Sequence, residues 1–121
     1  MLMLSLEQQL IIERYQHPQF SGEVPNYTHT SSGTNASCGD EIAWQARIQD
    51  GVLTELKHQT RACAVCTASA DMLAEAFSGK TLELTQAHTN DEQAVSLGIP
   101  LSPVRRKCAI LPLEALKNLS L

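Results

Sequence analysis

The sequence predicts an α+β domain in which a small antiparallel sheet of about three strands is packed on one side by helices. Three observations carry this. Ile42, Trp44, Ala46 and Ile48 alternate with Glu41, Gln45, Arg47 and Gln49, the period-2 pattern of a half-buried strand. Asp50-Gly51 follows at once, the favoured dipeptide of a two-residue hairpin, so the chain must fold back into a second strand over 52–61. From residue 65 onward the apolar positions recur at helical spacing.

The elements follow in order. Ser5-Leu6-Glu7-Gln8 fits a capping box, after which Leu6, Leu10, Ile11 and Tyr15 share one helical face until His17-Pro18 stops the helix. Residues 19–37 are polar, carry Gly22, Pro25, Asn26, Gly33 and Asn35, and show no periodicity. A connection that long inside a compact domain carries function or hides an edge strand. After the hairpin, Val65, Ser69, Met72, Leu73, Ala76 and Phe77 define the core helix, which Ser78-Gly79 closes. Shorter helices are expected around 82–87 and 91–97, with Gly98 and Pro100 closing them. Ser102-Pro103 reads as N-cap and N1 proline of a short helix holding Cys108, and Pro112 as the opening of a last helix over 113–119. All 121 residues form one domain by the usual size range.

Composition excludes several roles. Nine basic against 13 acidic residues give a net charge of -4, and aromatics make up only 4% of the chain, which argues against nucleic acid as a partner. The one dense basic run is Arg105-Arg106-Lys107. The N-terminal MLMLSLEQQLII lacks a basic leader and a small-residue cleavage site, and no apolar run approaches the ~20 residues of a membrane span. A cytoplasmic location is expected. In a reducing compartment Cys38, Cys63, Cys66 and Cys108 are then metal ligands or reactive thiols rather than a disulfide frame.

The cysteines sit at chosen places. Cys38 precedes the first hairpin strand, Cys63 and Cys66 lie where the second strand passes into the core helix, and antiparallel pairing brings Cys38 beside Cys63. Thiolates, the Asp40 carboxylate and Gly39, which leaves room for close approach, suit zinc or an iron-sulfur cluster. A helix N-terminus also favours the thiolate of Cys63 and Cys66. Against this stands the ordinary reading of a buried cysteine as a small hydrophobe, which Cys66 fits, and of Asp40 as a turn residue. Cys63-Ala64-Val65-Cys66 is equally a redox spacing, although thioredoxin-type motifs sit in βαβ units and here a hairpin precedes it. His17, His29, His58 and His88 are scattered and none is expected to be a ligand.

Three blocks carry a resemblance: Asn35-Ala36-Ser37-Cys38-Gly39-Asp40; Cys63 followed by Thr67-Ala68-Ser69-Ala70; and Pro103-Val104-Arg105-Arg106-Lys107-Cys108-Ala109-Ile110-Leu111. In this order and at these spacings they resemble the iron-sulfur cluster assembly scaffolds of the IscU/SufU/NifU N-terminal type. The likeness runs from Glu13-Arg14-Tyr15-Gln16-His17-Pro18 to the last helix. It implies a SufE/NifU-like fold and a site of Cys38, Asp40, Cys63 and Cys108, with Cys66 as an extra thiol, that holds iron and a transient [2Fe-2S] cluster, or Zn2+ in the protein as isolated. It further implies a cysteine desulfurase that charges Cys63 or Cys108 with persulfide sulfur, and acceptor apoproteins to which the cluster passes.

Such a protein is a carrier rather than an enzyme in the strict sense. The other reading within the family is a SufU-like, zinc-dependent sulfur acceptor, a sulfurtransferase partner of the desulfurase. Lys107 stands where the IscU branch has histidine and matches the SufU branch, and lysine there lowers the Cys108 thiol pKa. The interval from Cys63 to Cys108 lacks the SufU insertion and matches the IscU branch. Ala36 replaces the family's usual proline, and Cys66 a small residue. Leu101-Ser102-Pro103-Val104-Arg105 only partly matches the chaperone-recognition block of the IscU branch, which weakens the case for a DnaK-type chaperone.

Overall fold

The computed structural model describes residues 4–120. The start of the apolar N-terminal stretch lies outside them. The elements run α1 (Leu6–Gln16), β1 (His29–Asn35), β2 (Asp40–Gln49), β3 (Val52–Arg61), α2 (Ala64–Phe77), α3 (Leu82–Ala87), α4 (Asn90–Ser96) and α5 (Pro103–Leu116). The sheet is antiparallel in the order β1-β2-β3. The strand hidden in the long polar stretch is thus real and lies at an edge. The opposite edge, on β3, is partly covered by residues 20–22: His58 N–H donates to Phe20 O, and Gly22 N–H to His58 O, both at 3.0 Å.

The hairpin forms as the turn chemistry requires, with Asp50 at φ 53° and Gly51 at φ 76°, both in the left-handed region of a type I′ turn. Ile42, Trp44 and Ala46 point into the core with Leu53 and Leu56 of β3, while Glu41 and Gln49 face water. A bulge between Arg47 and Ile48 shifts the register near the turn. The buried face is covered by α2 and α5, α1 lies on α2, and α4 lies against α5. Helix α2 is the centre of the molecule, buried continuously from Val65 to Asp71 and again at Leu73 and Ala74.

Two sequence expectations need correction. Pro112 does not open a last helix; it sits inside α5, which runs unbroken from Pro103 to Leu116. A proline here removes the rung to the Cys108 carbonyl, while the carbonyls on either side are held by other elements: Trp44 Nε1–H donates to the Pro112 carbonyl at 2.9 Å, and the Ser69 hydroxyl donates to the Ala109 carbonyl at 2.6 Å. The second concerns α1. Its capping box forms as expected, yet of the four residues on the expected face only Ile11 is buried, with Leu6 at 65% and Leu10 at 54% exposure. Besides Ile11 in the core, Arg14 ties α1 to Asp71 and Glu75 of α2.

Candidate metal centre

Three segments far apart in sequence meet at one end of the sheet. After β1 the chain turns over 35–38, closed by Cys38 N–H donating to Asn35 O at 3.1 Å, and Gly39 takes φ 71° to launch β2 at Asp40. A Cβ on Gly39 would meet no protein atom within 4 Å, so within the chain this position needs glycine for its dihedral rather than for space. The end of β3 delivers Cys63, whose extended backbone makes it the N-cap of α2. Helix α5 brings Cys108 over the same end from above the sheet.

The donor atoms of Cys38, Asp40 and Cys108 all lie within 4.8 Å of one another. Cys38 is exposed, Asp40 and Cys108 are each 2% exposed, and Cys63 is half-buried. Cys63 does not complete a four-atom set at that spacing. It joins the group differently: its backbone N–H donates to Asp40 Oδ1 at 3.1 Å. The hairpin geometry therefore brings Cys63 to the expected end of the sheet, with Asp40 as the bridge between it and Cys38.

Asp40 is the unusual member. Its Oδ2 is buried with no hydrogen-bond partner, and across the first rung of the sheet Asn35 Nδ2 is likewise unpartnered. Native proteins satisfy nearly all such atoms, and a carboxylate with a bare oxygen beside two thiols has the donors that could hold a cation. Three donors at this spacing suit a single tetrahedral ion, whose sulfur and oxygen ligands stand about 3.5–4 Å apart.

For Cys66 and Cys108, burial is the leading influence on the thiol. Burial pushes the Cys108 thiol well above its ordinary value, and the neighbouring Asp40 and Cys63 add to the rise. Lys107, which the sequence places beside this thiol, is exposed, whereas Cys108 faces inward. Cys66 is fully buried on α2 and is raised by burial, with Asp40 and Cys63 contributing, so the helix N-terminus does not make it a thiolate.

A second polar cluster escaped the sequence reading. Asp71, 0% exposed on α2, accepts from Arg14 Nη1 at 3.0 Å, from Phe20 N–H at 2.8 Å and Gln19 N–H at 3.2 Å, and from His58 Nε2 at 3.1 Å. Burial alone would push its carboxyl up; the bonds from His58, Phe20 and Gln19 outweigh that and hold it below its usual range. His58 Nδ1 pairs with Thr60 Oγ1 at 2.7 Å, and Arg14 also pairs with Glu75. One signal was present in the chain: Asp71 is the only charge in the apolar run from Cys66 to Ala74.

Residues 6–119 match the family described as NifU-like N terminal domain. The chain is 31% identical over 111 residues to the iron-sulfur cluster assembly scaffold protein IscU of Escherichia coli K12, covering 88% of this chain and 85% of that one. It is 27% identical to the Thermotoga maritima IscU, covering 89% and 87%. A bifunctional NifU/MnmA protein of Rubrobacter xylanophilus is 30% identical over 107 residues, 88% of this chain but only 22% of its own length. Among solved structures, one described as a candidate scaffold of the SUF system from Fervidobacterium islandicum superposes with a TM-score of 0.76 at 23% identity, covering 90% and 92% of the two chains. The N-terminal part of a NifU-like protein from Brucella abortus gives 0.73 at 20% identity, covering 91% and 88%. With almost its whole length matched, the chain belongs to the family of NifU-like N-terminal domains, which its three cysteine blocks resemble.

Proposed function

We propose that this protein is a scaffold on which an iron-sulfur cluster is assembled and from which it is passed on. Iron and sulfur are its cargo. Cys38, Asp40, Cys63 and Cys108 hold the nascent [2Fe-2S] cluster, sulfur arrives as persulfide from a cysteine desulfurase, and acceptor apoproteins take the product. The observation that carries this reading is the buried Asp40 carboxylate, its Oδ2 without a hydrogen-bond partner, set within 4.8 Å of the thiols of Cys38 and Cys108. Soft thiolates suit the cluster, and the harder carboxylate makes one corner of the site weaker, as release requires. Of the two candidate sulfur acceptors, Cys63 is half-exposed and Cys108 is buried, which favours Cys63 as the point of arrival.

The test is anaerobic reconstitution with ferrous iron, cysteine and a cysteine desulfurase. A visible cluster chromophore, lost in Cys63→Ser and Cys108→Ser, is the expected result. Absence of the chromophore together with tightly retained zinc overturns it in favour of the second reading, a zinc-dependent sulfur acceptor of the SufU kind. That alternative draws on the compactness of the Cys38, Asp40, Cys108 set, which suits one ion better than two irons.

A further inference from the structure

Cys66 has no place in the ligand set, yet it is fully buried directly behind it. It occupies the third position of α2, one turn beyond Cys63, which is the N-cap. Side chains a turn apart on a helix stand about 5–6 Å apart, and a disulfide needs about 3.5–4.5 Å between the Cβ atoms. The Cys63 backbone is extended, at φ -65° and ψ 168°, and its side chain makes no capping bond. Rotation about its Cα–Cβ bond carries the sulfur over the first turn of α2, where an N-cap side chain ordinarily reaches the third residue, and a modest shift of the N-cap brings the two Cβ atoms into disulfide range.

We propose that Cys66 is a resolving thiol, which reduces the sulfur carried on Cys63 to sulfide. This rests on the reading above that Cys63 receives persulfide sulfur. In the step, the Cys66 sulfur attacks the Cys63 sulfur of the persulfide. A bond forms between the two cysteine sulfurs, and the bond to the terminal sulfur breaks with its electron pair going to that atom. The terminal sulfur leaves with the Cys66 proton, so that a persulfide and a thiol become a disulfide and hydrogen sulfide. A dithiol reductant returns Cys63 and Cys66 to thiols for the next cycle.

Burial gives this arrangement its selectivity. Cys66 is closed to sulfur donors in solution and meets only what is delivered one turn away, where attack is intramolecular. Sulfide is then released beside Cys38, Asp40 and Cys108, the three donors that cluster for an ion. Two of the electrons that convert sulfane sulfur to sulfide come from within the chain.

The experiment uses the metal-free protein, charged anaerobically by a cysteine desulfurase and cysteine, then freed of both and held without reductant. Mass spectrometry follows the tryptic peptide 62–80, which contains both cysteines, and free sulfide is measured alongside. The expected course is a Cys63 peptide heavier by one sulfur that turns into a peptide lighter by two hydrogens, with matching release of sulfide. Cys66→Ala keeps the added sulfur on Cys63 and releases sulfide at least about tenfold more slowly. A parent protein that holds its added sulfur as long as the variant overturns the proposal alone, as does a cross-link between peptides 62–80 and 108–117, which would make Cys108 the resolving thiol. If Cys63 takes up no sulfur in either protein, the proposal falls together with the reading of Cys63 as acceptor. The peptide measurement on the parent protein decides the matter even where the variant fails to fold.

Discussion

Asp71 and Asp40 are buried almost equally, at 0% and 2% exposure, but their surroundings differ. Asp71 meets a guanidinium, an imidazole and two backbone amides. Asp40 meets one backbone amide through Oδ1, and its Oδ2 meets nothing. A carboxylate with every lone pair occupied joins elements together; here α1, the segment after it, β3 and α2. A carboxylate left half open, with thiols around it, is placed to receive something. Burial alone does not separate these two carboxylates, and the count of partners does.

The comparison breaks most visibly at Asp71. Asp71→Ala leaves Arg14, His58 and two amides without their acceptor and should cost about 3–5 kcal/mol, the usual range when one partner of a buried charge network is removed. Urea unfolding measures this, and a loss under about 1 kcal/mol would show that the network supports little. Next in size is the pH dependence. The folded carboxyl of Asp71 is held below its usual value, so its contribution is present above the unfolded value of about 3.9 and is lost as pH falls through the folded one. Asp71→Asn should therefore flatten the fall in stability on the acid side of about pH 4, followed as unfolding midpoints across a pH series.

Asp40→Ala should be much milder for the fold. The lost bond from the Cys63 amide is offset by no longer burying a bare oxygen, and a net change of about 1 kcal/mol or less is expected. Its effect belongs to function: transfer of the cluster to an acceptor apoprotein should slow, and transfer as fast as in the parent would remove the role given to Asp40. The smallest effect is at the rim of the Asp71 network. Glu75 pairs with Arg14 but is more than half exposed, so Glu75→Ala should change stability by only about 0–0.5 kcal/mol. A larger loss would place the grip on α1 in that outer pair instead of in Asp71.

The two regions also differ in how much of each was legible in the sequence. The meeting of Cys63 with the Cys38–Asp40 end of the sheet was legible because each step is local: strict alternation over 42–48, a turn dipeptide at 50–51, and therefore Cys63 returned to that end; that Cys108 comes there from α5 was implied by the family resemblance alone. The Asp71 cluster was not, because Arg14 and Asp71 are 57 residues apart and their pairing has no periodic signature. Only the lone charge in an apolar run hinted at it. Pro112 misled for a similar reason: a proline reads as a boundary, and nothing near it in the chain announces that Trp44, 68 residues away, will hold its turn. The exposed Leu6 and Leu10 show the limit of periodicity, which finds a helical face without saying whether anything covers it.

Trp44 also joins the two regions. One side of its ring meets the His58 imidazole edge-on, with centroids 5.8 Å apart, and its Nε1–H holds the carbonyl of Pro112. Because the proline removes the amide that would brace the Cys108 carbonyl, this turn of α5 takes its position from neighbouring elements more than from its own ladder. The height of Cys108 above Asp40 accordingly rests on what Trp44 and Ser69 hold from other elements as well as on the helix itself.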